Sequence, residues 1–453
     1  MTEPRTAGER PGTVALVLSG GVALGSFHAG AYAALHPALP PDWVVGASVG
    51  AITAAILAGN PPERRVAQLR RFWEGLADDP VLPWRFWLPA PQGGPLREVT
   101  NEASILRSHL FGRPGLFRPR APGEDPTRPG LYDLSPLRAR LDALVDWGRL
   151  NNGALRVSLT TTDLVSGERV VFDNRLGSRI GAGHVLASGA LMPFFAPVEV
   201  EGRLLGDGGM SGNLPLDLVL GRGAGSHAET APAPSDAVGR DAVPGGNRPS
   251  SAATGGSAPE GSGGEQSRGD TAEVGDPEAP TSGRPGDGAS QGVGPAEDGG
   301  DLLCFAVELF SRRGRAPRSF GAAVGRAEDV IFGNQSRRVL EGCQREAELR
   351  AVIARLGEHL PPELRRDPAV APLLREGQRQ RQTLLLLEHR ASPEEAGGLK
   401  VMDFSATSLR ERWNHGEQQM RAALRLLDDL PEEPPGAAPA GGLWVHEVPE
   451  VPG

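Results

Sequence analysis

Apolar and polar positions alternate in blocks along the first two hundred residues. Five apolar residues in a row, Val14-Ala15-Leu16-Val17-Leu18, predict a fully buried strand. A Gly-rich turn follows, Ser19-Gly20-Gly21-Val22-Ala23-Leu24-Gly25, and then a helical pattern through Ala34-Leu35. Trp43-Val44-Val45 predicts a second strand that ends at Ser48, and Ala51-Ile52-Thr53-Ala54-Ala55-Ile56-Leu57 predicts the helix after it. Strands alternating with helices imply a parallel sheet covered on both faces. Ser135-Pro136 predicts a helix start, with Leu137, Leu141, Leu144 and Val145 on one face. Leu155 to Thr161 and Arg169 to Phe172 read as strands around the turn Ser166-Gly167, and Arg203-Leu204-Leu205 as a strand leading into Asp207.

The pattern then stops. Residues 221–300 are rich in Gly, Pro, Ser and Asp and predict disorder. Apolar patterning resumes at once with Leu302 to Leu309, so the tract reads as an insertion within a domain. After Ser319 the pattern is helical to about Leu430. Its last segment offers a capping box, Ser408-x-x-Glu411, and an apolar stripe of Leu409, Trp413, Met420, Leu424 and Leu427 for packing against the core. The expected organisation is a flexible 1–12, a catalytic domain over 13–220 and 301–319, the insertion 221–300, a helical region 320–431 and a Pro/Gly-rich tail 432–453.

Charge changes this picture little. The chain of 453 residues carries a net charge of −9, but residues 222–300 hold twelve acids and five Arg. The remainder is near neutral and predicts no nucleic-acid partner. The two cysteines, Cys304 and Cys343, have no zinc spacing with any histidine, and Cys304 sits in an apolar run that predicts a buried thiol. The polar N-terminus leads straight into the first strand without a basic and apolar leader, which predicts a cytoplasmic protein. The uncharged stretch Trp43 to Gly59 is mostly small residues and reads as buried strand, turn and helix. Between residues 64 and 88, Phe72, Trp73, Trp84, Phe86 and Trp87 are interleaved with Arg. Core packing, an acyl-pocket wall and peripheral membrane contact are all open for them.

Candidate chemistry centres on Gly46-Ala47-Ser48-Val49-Gly50. It fits G-x-S-x-G, which sets a nucleophilic serine on a tight strand-to-helix turn. Gly288-Ala289-Ser290-Gln291-Gly292 has the same spacing, but lies in a tract that cannot bury enough apolar surface to fix a turn. The Gly-rich turn misses the dinucleotide pattern at Val22 and the Walker pattern at Ser26. What remains is a run of backbone N–H groups at a helix start, suited to an oxyanion. None of the nine histidines lies at the end of a predicted strand; His184 is the nearest candidate for a triad. Asp207, at the end of its strand in Gly206-Asp207-Gly208-Gly209, is the best-placed acid, either as a base bonded directly to Ser48 or as the anchor of a turn.

In this order, turn, elbow and late Asp-Gly-Gly, the sequence resembles the patatin-like phospholipase family. "LSGGVALGSFHAG" is similar to its oxyanion loop, "GASVG" to its nucleophile elbow and "LLGDGGMSGNLP" to its Asp-Gly-Gly motif with the following Asn213 and Pro215. "HVLASGALMPFFAPVEVEGR" is similar to the block before that motif, and "DFSATSLRERWNHGEQQMRAAL" to C-terminal helices of some bacterial members. The resemblance implies a three-layer α/β/α sandwich with a mostly parallel central sheet, and a Ser-Asp dyad that hydrolyses lipid esters without metal or cofactor. Ser48 would be the nucleophile and Asp207 the base. The oxyanion donors would be the N–H groups of Gly20, Gly21 and Val22, with Gly46 and Gly50 shaping the elbow and Gly208 and Gly209 completing the acidic motif. The family's loop reads Gly-Gly-Gly-x-Arg-Gly; here Val22 replaces the third Gly and Leu24 the Arg. A positive φ at Val22 would strain a β-branched residue. Two other functions stay open: an esterase or thioesterase acting on soluble acyl substrates, and a lipid-binding scaffold weakened in catalysis by Val22.

Overall fold

The computed structural model describes residues 12–77, 94–121, 124, 129–221, 301–314, 316–317, 320–377, 381–391, 400–431 and 442–451. The chain divides into two units, Met1–Pro232 with Glu297–Gly453, and Ala233–Ala296. The second unit, the expected disorder of 222–300, Ser290, and the aromatic group Trp84-Phe86-Trp87 all lie outside the described residues.

Along the chain run β1 (Thr13–Leu18), β2 (Trp43–Ala47), β3 (Arg118–Pro119), β4 (Tyr132–Asp133), β5 (Arg156–Asp163) and β6 (Arg169–Asp173). Then come β7 (Val198–Val200), β8 (Arg203–Asp207), β9 (Leu302–Glu308), β10 (Gln382–Glu388) and β11 (Leu443–Glu447). β3 and β4 form a small antiparallel ribbon. The others make one sheet in the order β11-β10-β9-β1-β2-β5-β8-β7, with β6 also paired to β5. The six strands from β11 to β5 are parallel; β6, β7 and β8 add an antiparallel margin.

Alternation along the strands feeds two cores. Val14, Leu16, Leu18 and Val44 point into the larger one, with the helices Ser26–Ala38, Val49–Ala58 and Ala406–Asp429. Ala15, Val17, Val45 and Cys304 point the other way, against Leu216, Leu220 and the long helix Phe320–His359. A parallel sheet buried on both faces is what its near-continuous apolar strands require. The result is the expected α/β/α architecture with a helical C-terminal region.

The sheet does not end at β9, contrary to the sequence reading. β10 and β11 extend it by two parallel strands, one drawn from the stretch read as helix and one from the Pro/Gly-rich tail. Leu384 to Leu387 is a run of one residue type that suits either a buried strand or a buried helix, and pairing with β9 decides it. The last long helix also starts earlier than its capping box implied. Ser405 accepts the Ser408 N–H at 3.3 Å and is the cap, while Ser408 lies buried one turn in. Cys304 and Cys343 are buried and unpaired with each other, and burial pushes both thiols up. No helix among the described residues is long and apolar enough to cross a membrane.

Candidate active site

Strand β5 brings the two halves of the site together. β2 runs parallel to it and ends with Ala47 opposite Thr160. β8 runs the other way and ends with Asp207 opposite Thr161. The carboxyl ends of β2 and β8 therefore meet, and the residues that leave them are Ser48 and Asp207. The Ser48 side chain faces the Asp207 carboxylate closely enough to oppose the rise of its pKa.

Ser48 occupies a tight turn between β2 and the helix Val49–Ala58, with φ 55° and ψ −120°. A non-glycine residue in that region costs about 1–3 kcal/mol and persists only where its surroundings over-determine it. The surroundings here are specific. The Ser48 N–H donates to Ser188 Oγ at 2.9 Å, and Ser188 Oγ donates to the Thr160 carbonyl at 2.7 Å. A Cβ at Gly46 would stand 2.3 Å from the Gly50 backbone, and one at Gly50 2.4 Å from the Leu18 carbonyl, so both elbow positions need glycine. Ser188 was legible only as part of a family block, and its role as a strut was not. It closes the helix Ala182–Ser188, and its carbonyl also accepts the Gly208 N–H at 3.1 Å, tying elbow and acidic turn to one residue.

Asp207 is buried. Its carboxylate accepts the Gly209 N–H at 2.6 Å, and its backbone is held by the Ala190 carbonyl and the Thr162 hydroxyl. Burial pushes its pKa up from 3.8 to about 7, with the Ser48 side chain and the Gly209 bond opposing the rise. A carboxylate poised near neutrality can both take and return a proton.

The Gly-rich turn folds as a single turn of 3₁₀ helix, Val22–Gly25, ahead of the helix Ser26–Ala38. Here the expected donor set changes. The Gly20 N–H is turned toward Asn213 and donates to its Oδ1 at 3.1 Å and its carbonyl at 3.3 Å. That leaves Gly21 and Val22, whose N–H groups meet no acceptor among the described residues. Val22 has φ 46°, so the substitution does place a β-branched residue in the left-handed region. Leu24 is wholly buried in the core. Behind Asn213 lies Glu308, which the sequence did not single out. It is buried and pushed up to about 7 by burial; it accepts the Phe310 N–H at 3.0 Å and lies 3.5 Å from Asn213 Nδ2.

The described histidines stay out of this cluster. His184 Nδ1 accepts the Gly181 N–H at 3.0 Å, its Nε2 lies 3.4 Å from Glu201, and its ring packs edge-on to Phe172. His389 is not helical as expected: it follows β10 directly, buried against Phe27 and His415. Among the described residues no histidine is hydrogen-bonded to Ser48 or Asp207.

Beside Ser48 opens an apolar cavity of about 30 Å³, walled by Val22, Ile52, Trp73, Leu76, Leu137 and Phe195. Phe72 and Trp73 of the interleaved aromatic stretch thus belong to the core and the cavity wall.

A mixed sheet between two helical layers, with a serine elbow set against a buried carboxyl, defines the class of this α/β/α protein. The chain belongs to the patatin-like phospholipase family. A family model described as patatin-like phospholipase matches residues 16–220, and a second, described as patatin phospholipase, matches residues 330–435. Membership places the chain among lipid acyl hydrolases at the level of the family. No curated protein matches significantly. Among solved structures, VipD from Legionella pneumophila aligns at 15% identity over 94% of this chain and 69% of that chain, with a TM-score of 0.33. A likeness so slight bears on neither fold nor chemistry.

Proposed function

We propose that the chain is a serine acyl hydrolase that cleaves ester bonds of phospholipids or related lipids through a Ser48–Asp207 dyad. The observation that carries this reading is a strained serine set against a buried carboxyl group at the mouth of an apolar cavity. Asp207 takes the hydroxyl proton as Ser48 Oγ attacks the ester carbonyl. The negative oxygen of the tetrahedral intermediate turns to the Gly21 and Val22 N–H groups. Collapse expels the alcohol, which receives the proton from Asp207, and leaves an acyl-serine. Water then gives its proton to Asp207 and attacks the acyl carbonyl. The second intermediate releases the fatty acid, and the proton returns to Ser48.

The apolar wall beside Ser48 supports an acyl group as the bound part, the cavity of about 30 Å³ taking the end of the chain next to the ester. The helix Pro95–Phe111 supports contact with a lipid surface. It exposes Val99, Leu106, Leu110 and Phe111, and the chain after it supplies Leu116 to the cavity wall. The deciding experiment is lipid hydrolysis profiling of wild type beside Ser48→Ala, with fluorophosphonate labelling of both. The expected result is release of fatty acid by the wild type, labelling at Ser48 and loss of about a thousandfold or more in kcat in the variant. Hydrolysis that survives Ser48→Ala would refute the assignment. Equal rates on monomeric and micellar esters would point to a soluble acyl substrate instead of a lipid.

A further inference from the structure

The oxyanion turn is held from the far end of the chain. Arg412, on the helix Ala406–Asp429, is among the largest fully buried side chains of the protein. Its Nη1 donates to the Ala23 carbonyl at 3.1 Å and to the Asp403 carbonyl at 2.8 Å, and its Nη2 to the Lys400 carbonyl at 3.0 Å. The Asp403 carboxylate, also buried, lies 3.9 Å away and balances the charge. One guanidinium thus clamps the middle of the turn Val22–Gly25 to the turn Lys400–Met402.

The clamp falls where the backbone needs one. Gly21 has φ 154° and Val22 φ 46°, and the turn is closed on itself by short-range backbone bonds, among them the Leu24 N–H to the Gly21 carbonyl at 2.9 Å and the Ser26 N–H to the Leu24 carbonyl. The Ser26 hydroxyl adds a long contact to the Ala23 carbonyl at 3.4 Å. A strained turn keeps its shape only when its neighbours fix it, and a charge-assisted bond to the carbonyl just after Val22 is the strongest restraint present. The helix that carries Arg412 is itself fixed against the helix following the turn. A Cβ at Gly30 would come within 1.9 Å of the Trp413 carbonyl, and one at Gly416 within 2.1 Å of the Phe27 carbonyl, so the two backbones touch.

We infer that Arg412 is a positioning residue for catalysis. By bonding the Ala23 carbonyl it holds the Gly21 and Val22 N–H groups toward the oxyanion, which makes the C-terminal helical region part of the catalytic apparatus. This rests on the acyl-hydrolase reading above. The first measurement therefore separates the two: turnover of a monomeric p-nitrophenyl ester by the full chain, lost in Ser48→Ala. Absence of that pattern sinks the hydrolase reading and not specifically the role of Arg412.

Given that pattern, Arg412→Met and Arg412→Lys are compared with wild type in kcat, in KM, in affinity for a trifluoromethyl ketone and in inhibition by a neutral primary alcohol of the same chain length. The ketone forms a tetrahedral oxyanion on the serine; the alcohol carries no charge and reports on the apolar wall. Arg412→Met is expected to lower kcat about 10- to 100-fold with KM nearly unchanged. Ketone affinity should fall in proportion, alcohol inhibition should hold, and Arg412→Lys should lie between. Arg412→Lys keeps the charge beside Asp403 and is the variant read if Arg412→Met does not fold. A folded variant that keeps kcat and ketone affinity within about twofold overturns the inference. So does equal loss of alcohol and ketone binding, which would mark general damage.

Discussion

At the scale of single residues, the site combines two costs that function explains. Ser48 holds a left-handed backbone and Asp207 is buried with its carboxyl raised to about 7. The second cost has a definite sign. A carboxyl with a raised folded pKa contributes stability below its unfolded value, and that stability is lost as pH rises through the folded pKa. The loss here runs from about pH 4 to about pH 7. Asp207→Asn removes the ionising group, so at pH 8 it should melt a few degrees above wild type while losing as much kcat as Ser48→Ala. The double variant should be no worse than either single one, since the pair acts as a unit. Calorimetry and ester kinetics on the three variants check this; a less stable Asp207→Asn would contradict the burial argument. In the wild type, kcat/KM should rise with pH along a limb centred near 7, where Asp207 becomes a base. A limb near pH 4 would mean the carboxyl is solvated.

Val22 tests strain directly. With φ 46° and a half-buried side chain, it gains backbone relief on change to Gly and loses some packing. Val22→Gly should therefore shift the melting midpoint by only a few degrees. Val66→Gly, equally half-buried but inside the helix Pro62–Glu74, loses about 0.5 kcal/mol of helix propensity and gains no relief of a left-handed φ, so it should cost more. Similar losses at both positions would show that the left-handed φ carries no strain.

At the scale of elements, legibility followed period and context. β1, β2 and β9 were readable because their apolar runs lie between turn residues and carry Val. The elbow and the acidic turn were readable because each follows such a strand, while the same short motifs within 222–300 do not. β10 was hidden by four consecutive Leu between charged segments, where no period separates helix from strand. β11 was hidden by its brevity. The Gly20 N–H could not be seen to face Asn213, nor Arg412 to reach Ala23, because both depend on pairings across 193 and 389 residues. The late strands should matter. Removing residues 442–453 uncovers the β10 edge, with Leu384 and Leu386 on one of its faces. An unpaired parallel edge of this kind invites association. Light scattering and melting of the truncated chain should show aggregation and a lowered midpoint; an unaltered monomer would make β11 dispensable.

At the scale of the whole molecule, one sheet is assembled from segments on both sides of the low-complexity tract. β1, before it, pairs with β9, after it, in register from Thr13–Leu302 to Leu18–Val307. Ser48 and Asp207 precede the tract; Glu308 and Arg412 follow it. The compact unit that contains the site is formed by Met1–Pro232 with Glu297–Gly453. Residues 224–298 hold no Leu, Ile or aromatic residue, so they have almost nothing to contribute to either core. Replacing them with a short Gly/Ser linker shortens a closed loop several-fold, which changes closure entropy by about 1–2 kcal/mol in the stabilising direction. The shortened chain should keep kcat/KM on a soluble ester within about twofold and melt no lower than wild type. Kinetics and calorimetry on the pair decide it. A midpoint lower by many degrees would mean that the tract packs on the compact unit. Retained ester hydrolysis with lost vesicle hydrolysis would instead assign the tract to contact with the lipid surface.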